Sequence, residues 1–154
     1  MRPLYIFDLD GTVALIDHRR EILGDKEDRQ RWRRFYAACD NDLPNVPVIA
    51  ILHSLLVTGA EIRFFSGRSS EVREKTVAWL AKHTKLLTHE IEKSLTMREE
   101  GDYTQDHILK QQWLDAMNAD DRARIVAVFD DRDKVVKMWR DAGLTCLQVA
   151  PGDF

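Results

Sequence analysis

Apolar positions along the chain fall into two patterns. Leu4-Tyr5-Ile6-Phe7 is a short β-prone run that stops abruptly at Asp8-Leu9-Asp10-Gly11-Thr12. Four further runs read as buried strands: Glu61–Phe65, Ser94–Met97, Ile125–Phe129 and Leu144–Val149. Ile125-Val126-Ala127-Val128-Phe129 is apolar throughout, as a parallel strand covered on both faces must be. Helical spacing fills the intervals. Val46–Thr58 ends at Gly59, a residue suited to the left-handed turn that closes a helix. Ser69 or Ser70 can cap a helix with Glu71 in its first turn and Val72, Thr76, Trp79 and Leu80 as its buried stripe. Thr104–Met117 places Leu109, Trp113, Ala116 and Met117 on one face, and Lys134–Ala142 stops at Gly143. Strand and helix alternate, which predicts an α/β fold: a doubly wound, Rossmann-like parallel sheet with right-handed crossovers.

Residues 17–45 interrupt the alternation. They predict a small helical cap insertion above the sheet, with Trp32, Phe35, Tyr36 and Cys39 forming the apolar face of a helix of about three turns. Arg29, Arg31, Arg33 and Arg34 crowd the same helix. Asp17 to Arg34 holds seven basic and five acidic residues, so the stretch is +2 within a chain whose net charge is −3. That balance excludes a wholly basic nucleic-acid-binding surface. It leaves the arginine helix either as a solvated face or as an electrostatic guide for a nucleic-acid end.

With 154 residues, 44% of them apolar and 32% charged, the chain reads as one domain that folds without a metal or disulfide staple. No apolar run approaches the roughly 18 residues that span a bilayer, so no membrane association is expected. Two cysteines, Cys39 and Cys146, make no disulfide framework and point to a reducing cytoplasm. The five histidines show no metal-ligand spacing.

In an open parallel sheet, ligands bind at the carboxyl ends of the strands. Those ends carry Asp8/Asp10, Ser66-Gly67-Arg68 and Asp130/Asp131, with Lys110 on a helix that should reach them. Asp8 can attack an electrophile to give an acyl-phosphate, and Asp10 can shuttle the proton for leaving group and water. Four carboxylates on one rim repel unless a cation neutralises them, and hard oxygen ligands suit Mg²⁺. Asp131 or Asp133 could alternatively cap the following helix. Ser66 and Arg68 are expected where a strand meets a helix N-terminus, a natural anion site, with Gly67 letting the backbone approach. Lys110 lies one helical turn after Asp106, as a solvated pair would, yet beside the acids it can neutralise Asp8 and phosphoryl oxygens.

The set Asp8-Leu9-Asp10-Gly11-Thr12, Ser66, Lys110 and Asp130-Asp131 resembles, in order, the four motifs of the haloacid dehalogenase superfamily of Mg²⁺-dependent phosphatases. The resemblance implies Asp8 as nucleophile, Asp10 as general acid/base, and Ser66 and Lys110 as phosphate ligands. It implies Mg²⁺ between Asp8, the Asp10 carbonyl and Asp131, with Asp130 acting through water or on Lys110. Arg98 through Asp106, and the stretch from Phe129 to Phe154, are similar to the 3′-phosphatase domain of phage polynucleotide kinase/phosphatases. By that similarity Arg19, Arg68, Arg98 and Asp106 position substrate or organise the site. The family's kinase half is not present, since no Gly-x-x-x-x-Gly-Lys-Ser/Thr loop occurs. A separate kinase or ligase partner is thus a candidate. Thr104-Gln105 stands where the family tends to be basic.

The expected activity is removal of a 3′-phosphate from a nucleic-acid end or nucleotide. A 5′(3′)-nucleotidase acting on free nucleoside monophosphates is the alternative within the same chemistry. A non-catalytic nucleic-acid-binding domain is the alternative outside it.

Overall fold

The computed structural model describes residues 1–154. Its first elements are β1 (Leu4–Phe7), β2 (Ala14–Leu15), α1 (Asp17–Arg20), α2 (Arg31–Ala37), β3 (Leu43–Pro44) and α3 (Val46–Val57). Next come β4 (Glu61–Ser69), α4 (Arg73–His83), α5 (Thr88–Ser94), β5 (Leu95–Arg98) and α6 (Asp106–Ala116). The chain closes with α7 (Ala119–Ala123), β6 (Ile125–Asp130), α8 (Asp133–Asp141) and β7 (Cys146–Gln148). Five strands form one sheet in the order β5-β4-β1-β6-β7, and every neighbouring pair is parallel.

Alternation along the strands sends side chains to two separate cores. Phe7, Phe64 and Phe129 point to one, with Leu52 of α3 and Trp79 and Leu80 of α4. Ile6, Phe65 and Val128 point to the other, with Leu114 of α6 and Val135 and Trp139 of α8. Helices thus cover both faces, as the uninterrupted apolar strands require. From β1 the chain winds to β4 and β5 on one side and to β6 and β7 on the other. The reversal places the carboxyl end of β1 in the central crevice. No helix is long and apolar enough to cross a membrane.

Several elements depart from the sequence reading. β4 runs on through Ser66-Gly67-Arg68 to Ser69, where it still pairs with Arg98 across an irregularity in register. Hence no helix begins at Ser66: Ser69 caps a short 3-10 turn by accepting from the Glu71 N–H, and α4 starts only at Arg73. α2 is shorter than expected and passes into a 3-10 turn at Cys39–Asn41, although Cys39 remains buried. On α6 the buried side chains are Leu109, Lys110 and Leu114, a face rotated from the one anticipated. β2, β3, α1, α5 and α7 were not anticipated, being too short to show a period.

The β2–β3 pair is nonetheless important for the site. It is antiparallel, with Ala14 opposite Pro44 and Leu15 opposite Leu43. Asn45 adds two bonds to the same loop, from its N–H to the Val13 carbonyl (2.9 Å) and from Nδ2 to the Thr12 carbonyl (2.8 Å). The two ends of the segment between β1 and α3 are therefore stapled together beside Asp8 and Asp10.

Candidate active site

Asp8 follows β1 directly, and its N–H continues the ladder to the Phe129 carbonyl of β6 (2.9 Å). Lys110 Nζ donates to Asp8 Oδ1 (2.7 Å) and to Asp130 Oδ2 (2.9 Å). Asp130 is held further by the Trp139 indole N–H on Oδ2 (3.2 Å) and the Asp131 N–H on Oδ1 (2.9 Å). The Thr12 hydroxyl lies 3.2 Å from Asp8 Oδ2 and 3.4 Å from Asp131 Oδ1. Asp131 Oδ2 is buried and has no hydrogen-bond partner. Carboxylate oxygens of Asp8, Asp130 and Asp131 all lie within 4.8 Å of one another.

Burial and the Asp130 charge push the Asp8 carboxyl well above the ordinary carboxylate range, and push Asp131 up to about 6. Burial would lower Lys110, but Asp130 and Asp8 more than offset it and hold the ammonium charged. Three carboxylates thus face one ammonium in a site nearly closed to water. A buried polar oxygen without a partner is costly. The orphaned Asp131 oxygen, and a donor set made only of hard oxygens, fit a small divalent cation.

The backbone around these acids is tightly packed. Gly11 has φ +83°, and a Cβ there would lie 2.1 Å from Asp131 Oδ2, so only glycine fits. On the other side a Cβ at Gly152 would come 2.0 Å from the Asp131 carbonyl oxygen. That carbonyl also accepts from Gln148 Nε2 (2.9 Å), and the Gly152 carbonyl accepts from the Asp133 N–H (2.7 Å). The segment after β7 therefore braces the Asp130-Asp131 turn.

Asp10 belongs to a second cluster. Its Oδ1 accepts from Arg19 Nη2 (2.7 Å) and from Arg68 Nε (2.8 Å). Both guanidiniums also hold Asp42: Arg19 through Nε and Nη2 (2.7 Å each), Arg68 through Nη2 (2.8 Å). His18 Nε2 lies 2.7 Å from Asp42 Oδ1, and the Trp79 indole N–H donates to the Asp42 carbonyl (2.9 Å). Phe35 lies beneath Arg19, with the guanidinium carbon 4.3 Å from the ring centroid. The Asp42, Arg19 and Arg68 side chains are fully buried. Burial alone would raise the Asp10 carboxyl, but Arg68 and Arg19 hold it below its ordinary value.

A third group shapes the floor. Arg98 donates through Nε to the Gly67 carbonyl (2.9 Å), through Nη1 to the carbonyls of Asp102 and Thr104, and through Nη2 to Asp106 Oδ1. Arg132 Nη1 donates to Asp106 Oδ2 (2.9 Å), and the Tyr36 hydroxyl reaches the same Gly67 carbonyl (3.3 Å). A Cβ at Gly67 would lie 2.5 Å from Asp106 Oδ1. Ser66 is buried, with Oγ accepting from the Arg68 N–H (3.2 Å).

The sequence-derived residues therefore converge on one rim but in three distinct groups. Asp8, Lys110, Asp130 and Asp131 meet as expected. The Asp10 carboxylate is not in that group; it is occupied by Arg19 and Arg68. Arg68 is fully engaged by Asp10, Asp42 and Thr76. The helix-N-terminus anion site anticipated at Ser66 is absent because β4 continues. Asp42, Thr12, Trp79, Trp139, Arg132 and Gly152 were not singled out as site groups. Thr12 lay inside the Asp-x-Asp-Gly-Thr motif, but Asp42 sits in an unpatterned Asp40-Asn41-Asp42 run with no spacing to mark it. A cavity of about 730 Å³ lies elsewhere, at the amino ends of the strands between Arg2, Glu61, Arg63 and Asp121, and Asp8, Asp10, Asp42, Asp130 and Asp131 do not line it.

A family model described as the polynucleotide kinase PNKP phosphatase domain matches residues 2–154. The chain belongs to this family. It is a haloacid dehalogenase-type phosphatase domain. A viral relative, described as a candidate bifunctional polynucleotide kinase/RNA ligase of Autographa californica nuclear polyhedrosis virus, is 32% identical over 136 residues, covering 87% of this chain and 17% of the relative. A chain from the structure of the Pnkp1/Rnl/Hen1 RNA repair complex is also 32% identical, with TM-score 0.77 over 99% of this chain and 44% of its own. This phosphatase domain thus spans less than half the length of either relative. Class C acid phosphatase from Bacillus anthracis, solved with tungstate bound, is 13% identical with TM-score 0.66, covering 99% of this chain and 67% of its own; it shares the fold.

Proposed function

We propose that this domain is a Mg²⁺-dependent phosphomonoesterase that removes the 3′-phosphate from polynucleotide ends through an aspartyl-phosphate on Asp8. One observation carries the chemistry: three buried carboxylates face a single lysine, and one of their oxygens, Asp131 Oδ2, has no partner. Family membership supports the substrate class. The basic α2 helix and an insertion too small to enclose a substrate favour a polymer terminus over a sequestered metabolite. The longer relatives favour a kinase or ligase working alongside.

Asp8, Asp131 and the Asp10 backbone carbonyl would hold the cation. Bound there, Mg²⁺ supplies positive charge to the transferring phosphoryl oxygens and to the acids around them. Lys110 shares that charge and orients Asp8 by binding Oδ1, leaving Oδ2 to attack phosphorus. Asp8 gains a phosphoryl group as the P–O3′ bond breaks, and the departing oxygen takes its proton from Asp10. Asp10 then removes a proton from the water that cleaves the acyl-phosphate, regenerating Asp8 and releasing inorganic phosphate. The arginine clamp favours the Asp10 anion, which suits the second step. For the first step Asp10 must loosen from the arginines, and Asp42 keeps both paired while it does so.

The test is inorganic phosphate release from oligonucleotides phosphorylated at the 3′ or the 5′ end and from the matching mononucleotides, with Mg²⁺ and with EDTA. Release is expected to be Mg²⁺-dependent, selective for the 3′-phosphorylated oligonucleotide and roughly 10⁴-fold or more slower in Asp8→Asn. Faster turnover of mononucleotides would move the assignment to nucleotide metabolism.

A further inference from the structure

Tyr103 is the anomaly of the rim. Its residue is 90% exposed, although the loop that carries it is firmly held. The loop runs from the end of β5 at Arg98 to the start of α6 at Asp106, so it forms part of the carboxyl edge on which the site stands. Arg98 Nη1 holds the backbone on both sides of the tyrosine: it donates to the carbonyls of Asp102 (3.1 Å) and Thr104 (2.5 Å). Asp102 Oδ1 accepts from the Thr104 N–H (2.9 Å), and the Asp102 N–H bonds the Glu99 carbonyl (3.1 Å) around Gly101 at φ +85°. The same guanidinium reaches Asp106 and the Gly67 carbonyl, and Lys110 follows one turn along α6 to touch Asp8. The tyrosine backbone is thereby fixed to the groups that shape the floor, while its ring has no bonded partner.

A pinned loop that presents an aromatic ring to water has the form of a stacking surface. Every base offers a π-face, and aromatic stacking needs no particular sequence, as an enzyme acting on arbitrary ends requires. We infer that Tyr103 is a stacking platform for the base of the nucleotide that carries the phosphate. The inference rests on the polynucleotide-end reading above and names what in the substrate, besides phosphate, this rim recognises. Tyr103 does not touch the reacting atoms; it acts on binding.

The experiment compares wild type, Tyr103→Ala and Tyr103→Phe on two 3′-phosphorylated oligonucleotides, identical except that the terminal nucleotide of one is abasic. On the intact oligonucleotide Tyr103→Ala should raise KM by roughly 5–150-fold with kcat unchanged, the range expected for one lost base stack. On the abasic oligonucleotide it should match wild type to within about twofold, and Tyr103→Phe should behave as wild type on both. Equal losses on both substrates would show that the side chain only supports the loop and would overturn the platform. So would an alanine variant indistinguishable from wild type on the intact end. If wild type hydrolyses an aryl phosphate but neither oligonucleotide, the polynucleotide reading itself fails, and the platform with it.

Discussion

Two buried charge clusters stand side by side at the end of β1, and they differ in balance. Around Asp10, two carboxylates meet two guanidiniums, with every Asp42 oxygen engaged. Around Asp8, three carboxylates meet one ammonium, and an oxygen is left bare. Buried charges persist only when paired. The first cluster is therefore complete as it folds, whereas the second is complete only with further positive charge. That contrast separates a scaffold from the proposed reaction centre. It also explains why the acids two residues apart titrate in opposite directions, Asp8 upward and Asp10 downward.

Outside the Asp8 group itself, breaking the balanced cluster should have the largest effect. Asp42→Asn leaves Asp10 as the only carboxylate on Arg19 and Arg68, tightening their hold on the proposed proton carrier. Loss of one partner from a buried pair costs about 3–5 kcal/mol, read as a lower thermal midpoint. Steady-state phosphate release should fall roughly 10²-fold, mainly in kcat, because the arginines shift rather than vanish.

The opposite titration predicts a pH signature of intermediate size. Asp131 binds its proton more tightly when folded, so its contribution to stability is present below 3.8 and is lost as pH rises through about 6. Asp8 acts in the same direction. Asp10 is held low, so its contribution is present above 3.8 and is lost as pH falls through its depressed folded value. Thermal melts in EDTA should therefore weaken between about 4 and 6, and weaken again in stronger acid. Asp8→Asn should remove part of the first change and leave the second.

The smallest effect is expected at Phe35. Phe35→Leu removes the ring beneath Arg19, worth about 0.5–2 kcal/mol, and should lower kcat/KM less than about tenfold. A larger loss would mean that Phe35 orders the whole insertion.

The difference between the clusters also marks what was legible in the sequence. The reaction centre stands on strand ends and one helix, where apolar runs stop at Asp8 and Asp130 and a helical turn brings in Lys110. Asp8 and Asp130 follow from the apolar periodicity, Lys110 gained a role only beside those acids, and the expectation of a cation came from counting them. The balanced cluster draws Arg19 and Asp42 from the segment between β1 and α3, whose course is set by a two-residue strand pair. No period announces such a pair, so Asp42 was invisible, and Arg19 emerged only through family resemblance. The setting of Ser66 differs from the expected one for a related reason: a register irregularity lets β4 run on past the expected strand-to-helix junction. Likewise Trp79, expected on a buried stripe, also donates its indole N–H to the Asp42 carbonyl, as buried Trp139 does to Asp130.

The most direct measurement of the central claim is the thermal midpoint of wild type and Asp131→Asn near neutral pH, each in EDTA and in excess Mg²⁺. The charge deficit around Asp8 predicts that Mg²⁺ raises the wild-type midpoint. It also predicts that Asp131→Asn, already relieved of one buried charge, gains little from the ion. A wild-type midpoint unmoved by Mg²⁺, or an equal rise in both proteins, would contradict it.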